Sequence, residues 1–189
     1  MFQPAAKLEF VRRYCSPRDG WRVFVDIDPS EEGNTGGERK TPETLDRQQR
    51  MREDAKRVRK ELLELDVTVA GGRKAWFAGT ALPPVVGDRD VIAFHSGRRL
   101  CVIAEVEGDS SGQPEQKLYK AIGQLVVAAG ERAPENWQRY FALVVFGDRI
   151  ARHLEKARAL AKLHACGLQL APDPEKDRWF FGTRWESRS

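Results

Sequence analysis

Hydrophobic and polar positions repeat with two different periods along this chain, and the changes of period mark out its elements. Trp21-Arg22-Val23-Phe24-Val25-Asp26-Ile27-Asp28 puts apolar side chains at the odd positions, the period of a short strand. Pro29 to Gly37 reads as a loop. From Thr41 the period lengthens: Thr41 is a candidate helix cap with Pro42 in the first turn. Met51, Ala55, Val58, Leu62 and Leu65 step by four, three, four and three, the single apolar stripe of a helix ending near Leu65. Three strand-like runs follow Gly71-Gly72. They are Lys74–Ala78, Asp88–Phe94 and Leu100–Glu107, the last two joined by a short turn at Gly97. The third run is apolar almost to Glu105, which predicts a strand covered on both faces. Pro114 opens a second helix to about Ala129, with Leu118, Ala121, Ile122, Leu125 and Ala129 inward and Gly130 as its stop. Arg139–Phe146 is the strongest strand signal. Asp148 is a predicted cap for a third helix over about 149–165, with Ile150, Leu154, Ala157 and Ala161 inward, and Leu168–Leu170 is a short last strand.

From residue 42 the order is α-β-β-β-α-β-α-β, which predicts an α/β fold with a mixed central sheet flanked by helices. Residues 1–41 read as a strand-and-loop extension and residues 42–189 as one domain. No apolar run approaches the length of a membrane span, and the N-terminus lacks the apolar stretch of a secretory leader, so a cytoplasmic protein is expected. Cys15, Cys101 and Cys166 are odd in number and far apart, which supports neither a disulfide framework nor a zinc site. The histidines lack metal-ligand spacing, and the glycines form no phosphate loop.

Charge changes the picture only through its placement. The 189 residues carry 32 Lys+Arg against 28 Asp+Glu, a net +4 too small to name a partner. Of the basic residues 22 are Arg, the side chain suited to bidentate contact with phosphate. Arg47, Arg50 and Arg57 crowd the polar faces of the helix over 42–65, interleaved with Glu53, Asp54 and Glu61. Two readings follow: a solvated face laced with i,i+4 ion pairs, or a face that grips phosphates.

Acids on apolar strands carry the chemistry. Asp88 and Asp90 share one face of their run, as do Glu105 and Glu107. A hairpin about Ser96-Gly97 brings the four together at one edge. Carboxylates that close repel and shift upward in pKa unless they pair with neighbouring arginines or take up a hard cation.

This pattern resembles the PD-(D/E)XK, or restriction-endonuclease-like, nuclease superfamily, whose core is αβββαβ. Gly87-Asp88-Arg89-Asp90-Val91-Ile92-Ala93 looks like its first motif and Ile103-Ala104-Glu105-Val106-Glu107-Gly108 like its acid-x-Lys motif. The resemblance covers the architecture of roughly residues 42–147. It implies Mg²⁺ or Mn²⁺ held by Asp90, Glu105 and the Val106 carbonyl, with Asp88 as an auxiliary acid. It implies hydrolysis of phosphodiester bonds in nucleic acid, with DNA favoured over RNA and the choice between them left open by the residues. Glu107 departs from the pattern, since the family usually has Lys there. In some members the lysine comes from the following helix, and Lys117 is the candidate here. It lies on a stripe with Gln113, Lys120 and Gln124. Glu107 would then ligate a second ion or position water. Arg47, Arg50, Arg57 and Lys120 are the candidate backbone contacts. Two alternatives stay open. One is a catalytically inactive module of the same fold that binds nucleic acid or protein. The other is a partner subunit or homodimer built on Trp179, Phe180, Phe181 and Trp185.

Overall fold

The computed structural model describes residues 1–28, 30–32, 41–70, 89–108, 114–130, 136–182 and 184–185. Within them are helices α1 (Gln3–Tyr14), α2 (Pro42–Glu64), α3 (Pro114–Gly130) and the short α4 (Asp148–Ala151). The strands are β1 (Arg22–Asp26), β2 (Thr68–Ala70), β3 (Val91–His95), β4 (Leu100–Glu107), β5 (Gln138–Phe146), β6 (Ala165–Leu170) and β7 (Arg178–Phe181). The strands form one mixed sheet in the order β2-β1-β3-β4-β5-β6-β7. β1, β2, β4, β5 and β6 run one way, and β3 and β7 run against them. The α/β architecture with helices on both faces of the sheet is therefore present. No helix among the described residues is long and apolar enough to cross a membrane.

The sheet divides the core in two. Val23 and Val25 of β1, Val102 and Val106 of β4, and Val144 of β5 face Leu8, Phe10 and Val11 of α1 and Val58 and Leu62 of α2. Phe24, Ile103 and Leu143 point the other way, onto Leu118 and Leu125 of α3 and Leu154 of the turn that follows α4. All eight residues of β4 are buried, as its near-continuous apolar run predicts.

Several expectations are corrected. Residues 1–41 are no irregular extension: they hold α1 and the interior strand β1, which lies between β2 and β3. The third helix is only four residues long and gives way to a 3₁₀ helix over Leu154–Leu163. Three residues per turn put Leu154, Ala157 and Leu160 inward and leave Ala161 exposed. Asp148 is the first residue of α4, with Gly147 as its cap, and its carboxylate accepts a hydrogen bond from Gln169 at 2.7 Å. The β3–β4 hairpin turn does hold Gly97: the His95 ring accepts the Arg98 N–H across a 3₁₀ turn, and Arg99 follows in the left-handed region (φ 50°). The last strand is β7. Its Phe181 is buried, as is Trp185, and Trp179 and Phe180 pack half-buried against the two core layers. Thr41 does cap α2, accepting the Thr44 N–H at 3.3 Å. The strand read at 74–78, Asp88 and Gln113 lie outside the described residues.

Candidate active site

Register assembles the acids. β3 and β4 pair Val91 with Ala104, so Asp90, one residue before β3, comes opposite Glu105. β1 and β3 pair Val25 with Val91, and the Asp26 N–H donates to the Asp90 carbonyl at 2.9 Å. Asp26, Asp90 and Glu105 thus form a row across three adjacent strands. Glu107 stands two residues beyond Glu105 on the same face of β4. The row lies at the carboxyl end of β4, where the chain leaves the sheet and crosses through α3 to β5. Open α/β sheets favour ligands in such a place.

Asp90 is held by three donors. Its Oδ2 accepts the Val106 N–H at 2.8 Å and the Gln3 side-chain amide at 3.3 Å. Its Oδ1 lies 2.8 Å from Nζ of Lys7. Lys7, on α1, is fully buried, and the same nitrogen donates to the Asp26 carbonyl and to Glu31 Oε1, each at 2.6 Å. Burial works to lower the Lys7 pKa, but Asp90 and Glu31 outweigh it and hold the ammonium above the ordinary lysine value. Glu31 is pushed up to about 7 by burial, with Asp90 adding to the rise and Lys7 opposing it. Gly108 lets α1 come this close. A Cβ there would stand 2.6 Å from the Gln3 nitrogen and 2.8 Å from the Phe2 carbonyl carbon, so only glycine fits against the start of that helix.

Toward α3 the acids are less well served. Glu105 is 2% exposed and its buried Oε1 has no hydrogen-bond partner among the described residues. Burial first, then Asp90, raises its pKa well above the usual carboxylate range. Glu107 is raised by burial too, against the pull of Lys117, whose Nζ stands 3.4 Å from Glu107 Oε2. The two lysines therefore reach the acids from opposite helical layers: Lys7 from α1 and Lys117 from α3.

Of the residues expected from the sequence, Asp90, Glu105, Glu107 and Lys117 come together. Val106 contributes its N–H to Asp90, while its side chain belongs to the core on the α1 face. Lys120 is exposed on α3. Arg50 pairs with Asp46, and Arg57 with Asp54 at 2.7 Å and Glu61 at 2.5 Å, so both have the solvated-face arrangement within α2. Arg47 is exposed on the same helix. Missed were Lys7, Gln3, Asp26 and Glu31. Asp26 ends an apolar alternation just as Glu105 does, and that signal was readable. Arg59 was missed as well: it donates to the Ile27 carbonyl at 2.9 Å and pairs with Glu32 at 2.6 Å, pinning the segment that carries Glu31.

Among the described residues no three His, Cys, Asp or Glu side chains gather closely enough to hold a metal ion alone. The donor chemistry still fits one hard cation. Glu105 has a buried oxygen with no partner, Asp90 lies opposite it, and all the side-chain donors are oxygens. Comparison of the chain with protein-family models, with curated proteins and with solved structures finds no match.

Proposed function

We propose that this chain is a nuclease of the PD-(D/E)XK kind, hydrolysing phosphodiester bonds in DNA with Mg²⁺ or Mn²⁺. The observation that carries the reading is Glu105, buried beside Asp90 with one oxygen that has no hydrogen bond among the described residues, with Lys117 arriving from α3 at Glu107. The strand order supports it. α1, β1, β3, β4, α3 and β5 run α-β-β-β-α-β, and the four strands are neighbours in the sheet. On this reading the core begins at α1 rather than at residue 42, and α2 with β2 is inserted between its first two strands.

Asp90 and Glu105 would hold the ion, which supplies positive charge at a phosphoryl oxygen. The Val106 carbonyl is the further candidate ligand. Hydrolysis joins a water oxygen to phosphorus, breaks the bond to the leaving sugar oxygen, and moves one proton from the water to that oxygen. Glu107, raised by burial, is suited to take the proton at Oε2. Lys117 Nζ, beside it, faces the charge that develops on the phosphoryl group. Cleavage of single-stranded, duplex and branched DNA with Mg²⁺ or Mn²⁺ tests this. Asp90→Ala and Glu105→Ala are each expected to lose about 100-fold or more in rate. Cleavage that survives both substitutions overturns the assignment.

One observation favours a second reading, an inactive module of the same fold. Asp90 already has Lys7, Val106 and Gln3 as partners and needs no ion to be satisfied. DNA binding with neither cleavage nor metal uptake would decide for it.

A further inference from the structure

Lys7 Nζ sits in a nest of three oxygens: Asp26 O and Glu31 Oε1 at 2.6 Å and Asp90 Oδ1 at 2.8 Å. Two carboxylates and a main-chain carbonyl are the donor set a hard divalent cation takes. An ammonium has three protons, and here each has an acceptor. The Lys7 side chain is fully buried. The nest is also fixed from outside. The Glu31 N–H donates to Asp28 Oδ1 at 3.1 Å, Arg59 holds the Ile27 carbonyl, and the Val106 N–H holds the far oxygen of Asp90. Glu31 keeps one buried oxygen with no hydrogen bond among the described residues, so the nest has a donor to spare. Across β3 and β4, Glu105 has a buried oxygen with no hydrogen bond among the described residues, and Arg89 and Lys7 only partly offset the burial of its charge.

We propose that Lys7 is the resident cation of this site, its ammonium standing where a second divalent ion would otherwise bind, so that the chain takes one ion, on the Glu105 side. The inference rests on the metal-dependent reading for the ion at Glu105, but not for the nest around Lys7. It makes Lys7 a positioning residue that fixes Asp90 and the charge at that end of the row.

Counting bound Mn²⁺ by electron paramagnetic resonance on the full chain, with melting temperature read alongside, tests it. The wild type is expected to bind one ion, Glu105→Gln none, and Glu31→Gln still one. Lys7→Met is expected to bind two, to melt lower than wild type without metal, and to recover more than wild type when Mn²⁺ is added, because an ion that binds only the native state stabilises it. Lys7→Met combined with Glu31→Gln is expected to return to one. If Lys7→Met folds only with Mn²⁺ present, that dependence supports the proposal. If it folds under neither condition, the counts for wild type and Glu31→Gln decide. Two ions in the wild type, a loss of its ion in Glu31→Gln, or no extra ion in a folded Lys7→Met overturns the proposal. No ion in the wild type with one in Lys7→Met removes the nuclease reading and leaves the resident cation standing.

Discussion

Glu105 shows at the scale of one residue how a site conflicts with stability. A buried carboxylate with an oxygen left without a hydrogen bond is costly, and its folded pKa stands well above the ordinary value of 4.5, raised by burial and Asp90 against the opposing charges of Arg89 and Lys7. The sign follows from linkage. A group whose folded pKa is raised contributes stability that is whole below the unfolded value and is lost as pH rises through the folded value. Glu31, raised to about 7, acts in the same direction between 4.5 and about 7. Glu105→Gln removes the charge and keeps the shape. It is expected to stabilise the metal-free chain by about 1–3 kcal/mol near pH 8 and to have little effect near pH 5. Urea unfolding across that range measures it, and equal effects at both ends would mean that Glu105 carries its charge without penalty. Glu105 and Asp90 were legible in the sequence because an acid inside an apolar strand breaks a strong pattern. Lys7 was not, because a lysine in a helix is unremarkable until the helix proves to be buried.

Elements decide whether these residues meet. The strand periods and the helical stripes of α2 and α3 could be read, since each has one clear buried face or two. The periodicity failed where the period itself changed. After α4 the chain tightens to three residues per turn, and Leu160 replaces Ala161 on the buried side. It also failed at α1, where six apolar residues and Lys7 are buried in twelve positions and no polar face stands out. The contact of α1 with β4 turns on Gly108, and two glycine substitutions separate space from propensity. Gly108→Ala forces a methyl group into the start of α1 and is expected to cost about 1–3 kcal/mol. Gly123, inside α3, has nothing within 4 Å of a built Cβ, and Gly123→Ala is expected to gain about 1 kcal/mol. Chemical denaturation of the two variants reads both. A Gly108→Ala variant as stable as wild type would show that α1 is free to move off β4.

At the scale of the whole molecule, the segment from Asp177 to Trp185 clamps the α1 arm of the site. Trp185 is fully buried, donates its indole N–H to the Tyr14 carbonyl at 3.2 Å, and packs edge-on to Phe10 with ring centres 6.0 Å apart. Trp179 meets Tyr14 at 5.5 Å, and Asp177 accepts from Tyr14 and from Arg13, each at 2.9 Å. Every one of these contacts falls on the C-terminal half of α1, the helix whose N-terminal half carries Gln3 and Lys7. The order of the strands could be guessed from the sequence, but this closure could not, because it joins residues some 170 apart that share no local pattern. Trp185→Ala is expected to cost about 3–5 kcal/mol, the usual penalty for emptying a large aromatic site. At about 2–4 °C per kcal/mol for a chain of this size, the melting temperature should fall by about 6–20 °C. The loss should be local before it is global: amide hydrogen exchange in α1 should accelerate more than in α3, which packs on the opposite face of the sheet. Equal acceleration in both helices would mean that the C-terminal segment supports the sheet as a whole and has no special hold on the helix that delivers Lys7.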